Sequence, residues 1–145
     1  MASIARTIAP NDGETALAGL FARLFATRLA MLAWFLLFAL ATRVAVFGDT
    51  NFFHDELFYF QVGQRMHEGL LPYVDLWDRK GPGLFLTAWF VAGVSSSIVA
   101  WQAAACLSAA LTAFVIALIA ERTSGRLGAV LAGTLYLSIL PFFGG

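Results

Sequence analysis

Apolar residues along this chain fall into long blocks, and most polar residues collect in the gaps between them. Residues 1–14 are polar and contain Pro10 and Asn11-Asp12-Gly13, a turn signal, and read as disordered. Residues 15–28 place Leu17, Leu20, Phe21, Leu24 and Phe25 at helical spacing, with Arg23 and Arg28 among them. That pattern predicts an interfacial amphipathic helix, or the wet start of the span that follows. Residues 29–47 carry one charge, Arg43, and at about 1.5 Å per residue reach roughly 28 Å, enough to cross the hydrocarbon of a bilayer. Residues 81–120 carry no charge at all. As one helix they would run about 60 Å, so they are expected to fold back, with Gly93-Val-Ser-Ser-Ser97 as the breaker. The predicted spans are 29–47, 82–95, 98–120 and 127–143, with a polar connector at 121–126. A secretory signal is not expected, because the apolar region is too long and no small-x-small site follows it.

The loop at 48–81 breaks this apolar pattern. It is too aromatic and apolar for disorder. Asp55 can cap a helix whose first turn holds Glu56, and Leu57, Phe58, Phe60, Val62 and Met66 give that helix an apolar side. Gly69 is a natural terminator. The pattern predicts a helix over 55–68 lying along the membrane surface. Leu71 to Asp78 is short, aromatic and turn-rich, and Gly81-Pro82-Gly83 turns the chain back. The fold class is therefore all-α integral membrane, with about four transmembrane helices and an outer loop that carries a surface helix.

Composition supports that class. The chain is 60% hydrophobic and 12% charged, about half the charged fraction usual in soluble domains, with mean hydropathy +0.79. The net charge of zero offers nothing for nucleic acid. Cys106 is the single cysteine, lies in an apolar run, and reads as a small buried hydrophobe. By arginine count alone, the positive-inside rule opposes placing the loop outside if the N-terminus is inside.

Candidate chemistry collects at His54–Gly83, which holds five of the nine acids. Adjacent Asp55 and Glu56 project about 100° apart on a helix, so one can face a cavity while the other caps or binds a cation. A carboxylate there can accept a proton from a hydroxyl. The bland reading is a cap and a first-turn acid. Arg79 and Lys80 beside the Gly81-Pro82-Gly83 turn suit a lipid phosphate, or ordinary interfacial anchoring. Arg43 either snorkels to the headgroups or faces the bundle interior. A metal held by His54, Asp55 and Glu56 is a further option. His67 lies eleven residues, about 16 Å of helix, beyond Glu56, too far to share an ion with it.

The order of these features is more specific than any one of them. An apolar span ends in Arg43. An Asp-Glu pair follows, then aromatics at 58–60, Gly69, Pro72-Tyr73, Asp75, and Lys80 before a Pro turn. This series resembles the N-terminal region of the GT-C membrane glycosyltransferases, in particular the protein O-mannosyltransferases and the lipid A aminoarabinose transferases. The resemblance covers about 28–143, and at most the first third of such an enzyme. It implies a polyprenyl-phosphate sugar donor, chemistry on the outer face of a bacterial inner membrane, and loop 48–81 on the periplasmic side. It maps the essential acid onto Asp55 with Glu56 beside it, and the donor phosphate contact onto Lys80 with Arg79. Arg43, Tyr59 and Tyr73 would support them. Some members use a divalent metal and others show no need of one, so no cofactor is fixed. Lys80-Gly81-Pro82 departs from the usual Lys-Pro-Pro, which softens the turn. The chain is expected to be the N-terminal part of a larger enzyme whose remaining spans complete the site, and to be inactive alone. The competing readings are a non-catalytic membrane module that binds anionic lipid or serves a larger complex, and a small transporter.

Overall fold

The computed structural model describes residues 19–21, 23–49 and 54–143, with the side chains of His54, Phe142 and Phe143 excepted. The expected disorder of 1–14 falls outside them. The described residues are predominantly helical. Residues 19–21, 23 and 24 form a helical turn, and the chain then breaks. α1 (Arg28–Arg43) starts afresh, capped by Thr27, whose Oγ1 accepts from the Ala30 N–H at 3.1 Å. It passes into a 3-10 turn at Val44–Val46. α2 is His54–His67, α3 is Pro82–Val94 and α4 is Ile98–Ile139. Ser97 caps α4 from within the expected breaker. Among the described residues two helices, α1 with its 3-10 extension and α4, are long and apolar enough to cross a membrane.

α4 spans 42 residues, about 63 Å if straight, but it doubles back at Gly125 (φ 65°, ψ −168°). That backbone region is essentially restricted to glycine. The two arms, 98–124 and 126–139, then lie side by side. A Cβ at Gly133 would fall 2.9 Å from the Ala113 carbonyl oxygen. The 121–126 connector is thus helical on either side of one glycine, where an open polar loop was expected.

α1 packs along this hairpin. Its buried residues are Met31, Phe35, Ala39 and Arg43, one per turn, a stripe far narrower than that of a soluble core helix. They meet Ala109, Ala110, Ala113 and Ala117 of one arm and Ala129, Val130 and Leu137 of the other. The Trp34 indole N–H donates to Thr134 Oγ1 at 2.9 Å. The alanines let both arms of α4 close around Met31 and Phe35, while Leu37, Leu111, Ile119, Leu131 and Leu135 face outward. Small inside and large apolar outside is how helices associate when the surroundings are as apolar as the core.

The bundle has two ends. At one, Glu121 pairs with Arg28 (3.4 Å) and Arg126 (3.3 Å), and Arg126 Nη2 donates to the Ala26 carbonyl. At the other, about 23 Å along α1, Gln102 accepts from the Gly48 N–H at 2.7 Å and donates to the Val46 carbonyl. α2 and α3 lie at this second end and run parallel. Tyr59 meets Phe85, Gly63 meets Ala88 and His67 meets Trp89. The apolar side of α2 is therefore covered by α3 and Trp101. α3 is 13 residues, about 20 Å, and both its ends stay at this end of the bundle. Its first turns share a cavity with Arg43, and just past its last residue the Ser96 carbonyl accepts from Gln64 of α2.

Candidate functional site

α2 begins close to the exit of α1, so Glu56 meets Arg43. Arg43 Nη1 stands 3.2 Å from Glu56 Oε1, and both side chains are largely buried. The guanidinium therefore faces the interior and does not snorkel. Asp55 lies inside the first turn of α2, not at its cap as expected; the cap position falls outside the described residues. α2 ends as Gly69 predicts. The N–H groups of Gly69 and Leu70 donate to the Met66 and Arg65 carbonyls, with Gly69 at φ 98°.

The 70–80 segment is held by its own hydrogen bonds. Asp75 Oδ2 accepts from the Leu71 N–H, and the Tyr73 N–H donates to the Leu76 carbonyl at 2.7 Å. Tyr73 sits at φ 67°, costly for an aromatic residue. Its hydroxyl donates to the Lys80 carbonyl at 2.6 Å and its ring packs edge-on against Phe85. Asp78 joins the parts. One carboxylate oxygen accepts from the Tyr59 hydroxyl (3.2 Å), the other from the Lys80 N–H (2.8 Å). Burial, and then the hydrogen bond to Asp78, push the Tyr59 phenol above its ordinary value.

These contacts bring Asp55, Glu56, Tyr59 and Lys80 to one cavity of about 500 Å³, with Arg43 behind them. Its far side is made by α3 and by both arms of α4, through Thr87, Trp101, Ser108 and Tyr136. Two acids and two cations thus meet against an apolar wall. Arg43 and Glu56 pair with each other, which leaves Asp55 and Lys80 as the other two charged residues at this cavity. Arg79 is exposed and does not line this cavity. Tyr73 does not line this cavity; its hydroxyl holds the Lys80 backbone and its ring packs on Phe85. His67 stacks on Trp89 and its Nε2 lies 2.9 Å from the Trp89 carbonyl oxygen, a packing role. Among the described residues no three His, Cys, Asp or Glu side chains come together as a metal site. The His54 side chain lies outside the description, so of the expected metal set only Asp55 and Glu56 are placed at the cavity.

Sequence reasoning missed Asp78, Thr87, Ser108 and Tyr136. Asp78 looked like one more polar residue in a turn. Ser108 and Tyr136 were signalled only as isolated hydroxyls in apolar helices, and nothing local says which way they point.

Comparison with protein-family models, with curated proteins and with solved structures finds no match for this chain.

Proposed function

We propose that this chain is a GT-C-type membrane glycosyltransferase, or the N-terminal part of one, that moves a sugar from a polyprenyl-phosphate donor to an acceptor hydroxyl. One observation carries the reading: Asp55 and Lys80, 25 residues apart in sequence, line one cavity against apolar helices. Asp55 takes the proton of the acceptor hydroxyl. The oxygen forms its bond to the anomeric carbon as the bond from that carbon to phosphate oxygen breaks, and the electron pair leaves on the phosphate. Lys80 offsets that growing charge. Glu56 fixes Arg43 and shapes the site beside Asp55, and so is a positioning residue. Arg79 lies outside the cavity and contributes at most longer-range charge.

In this reading the membrane is crossed by α1 and by each arm of α4, while α2 and α3 lie at the outer surface. Three crossings put Arg122 and Arg126 on the side of Arg23 and Arg28. The four-span expectation put them with the loop, and this was the source of the conflict with the positive-inside rule. With them moved, the cation excess that opposed an outer loop disappears.

Transfer from a polyprenyl-phosphate sugar, measured with the native protein in lipid vesicles, tests the proposal. Asp55→Asn is expected to lower the rate at least a hundredfold, the range of a lost general base. Wild-type turnover in that variant would remove Asp55 from the mechanism. Lipid-phosphate binding that survives loss of both acids, with no transfer, would favour the non-catalytic module.

A further inference from the structure

α2 has a second polar face. Phe58, Gln61, Arg65 and Glu68 follow one another at intervals of three or four residues and so share one stripe of the helix. Asp55 stands one turn before Phe58, at the N-terminal end of that stripe, and lines the other cavity. With Gln64, and with Leu70 and Leu76 of the returning segment as a wall, these residues line a cavity of about 650 Å³ floored by Val62. It shares no lining residue with the Asp55–Lys80 cavity.

Its chemistry selects a ligand class. The Arg65–Glu68 pair, at 2.8 Å, is neutral as a unit, so nothing here favours a net charge. Gln64 donates to the Ser96 carbonyl through Nε2, which leaves its amide oxygen as an acceptor. Gln61 adds a second amide, and Glu68 a second carboxylate oxygen. Phe58 offers a partly exposed ring. Planar amides and a paired guanidinium and carboxylate around an aromatic face suit a ring with an apolar side and a rim of hydroxyls. Because the stripe begins at Asp55, a chain lying along it brings one end to the proposed base. Arg65 is ten residues on, about 15 Å.

We propose that this groove binds a neutral saccharide, the carbohydrate part of the acceptor, laid along α2 with its reactive hydroxyl towards Asp55. The assignment to an acceptor rests on the transferase reading; the saccharide site does not. Saturation-transfer NMR on the protein in lipid nanodiscs, with mannobiose, cellobiose and chitobiose as probes and glucose 6-phosphate as an anionic control, tests it. Saturation of at least one neutral disaccharide is expected, with no stronger signal from the control. Gln61→Ala combined with Arg65→Ala should weaken that binding at least tenfold. Both substituted side chains are exposed, and an unaltered thermal midpoint will show that the fold is retained. Absence of saturation with all three disaccharides, or binding indifferent to the double substitution, would overturn the site. Saccharide binding without any sugar transfer by the complete native protein would instead sink the transferase reading and leave the groove standing.

Discussion

Arg43 closes the buried stripe of α1 and meets Glu56. Removing one member of such a pair strands the other. Arg43→Met should therefore cost about 2 kcal/mol, less than for a fully buried pair because Glu56 keeps some access to the cavity. Arg43→Met with Glu56→Leu should recover most of that loss, read as the thermal midpoint in detergent. Tyr59 gives a pH test. Its phenol titrates above the ordinary value, so the folded state holds a proton that the unfolded chain has already released. The stability it contributes is full below about pH 10 and is lost as pH rises towards the folded value. Tyr59→Phe should flatten the alkaline decline in stability above pH 10, and an unchanged decline would show that Tyr59 does not cause it. At this scale Asp55 and Lys80 stood out in the sequence, because charges are rare here, Asp55 opens a helix and Lys80 precedes the Gly81-Pro82-Gly83 turn. Whether Arg43 points in or out was not, since hydropathy is blind to direction.

Among the elements, the most exacting contact is that between α2 and α3. A Cβ at Gly63 would lie 2.4 Å from the carbonyl carbon and oxygen of Ala88, which are backbone atoms with little freedom to yield. Gly63→Ala should cost about 1–3 kcal/mol through overpacking and separate the helices that carry Asp55 and Thr87. Thermal unfolding, together with loss of transfer, would register it. The sequence showed both helices but not their partnership, because a lone glycine in a helix predicts weakness and says nothing of what lies against it. The 121–126 stretch misled for a related reason. Its polarity resembles a loop, yet Glu121 and Arg126 pair across the Gly125 turn, so the charges close a helical corner.

The described residues form a three-rod bundle with a capping layer, and its sidedness can be measured. Cys106 is buried and should stay unlabelled. Cysteines placed by Thr123→Cys and Trp77→Cys should react with an impermeant maleimide from opposite faces of a sealed vesicle. Labelling of both from one face would exclude three crossings. Four spans were inferred from the number of apolar blocks, and α3 is such a block. Only its length and its neighbours show that it stays at one end. The Arg43–Glu56 contact also bears on how the protein is made. α1 is synthesised long before the hairpin it packs on, since Trp34 waits 100 residues for Thr134. At about 5–20 residues per second that delay is roughly 5–20 seconds. Arg43 waits only 13 residues for Glu56, about a second or two. The charge near the C-terminal end of α1 thus has its partner almost as soon as it is made, whereas Arg28, at the other and exposed end, waits 93 residues for Glu121.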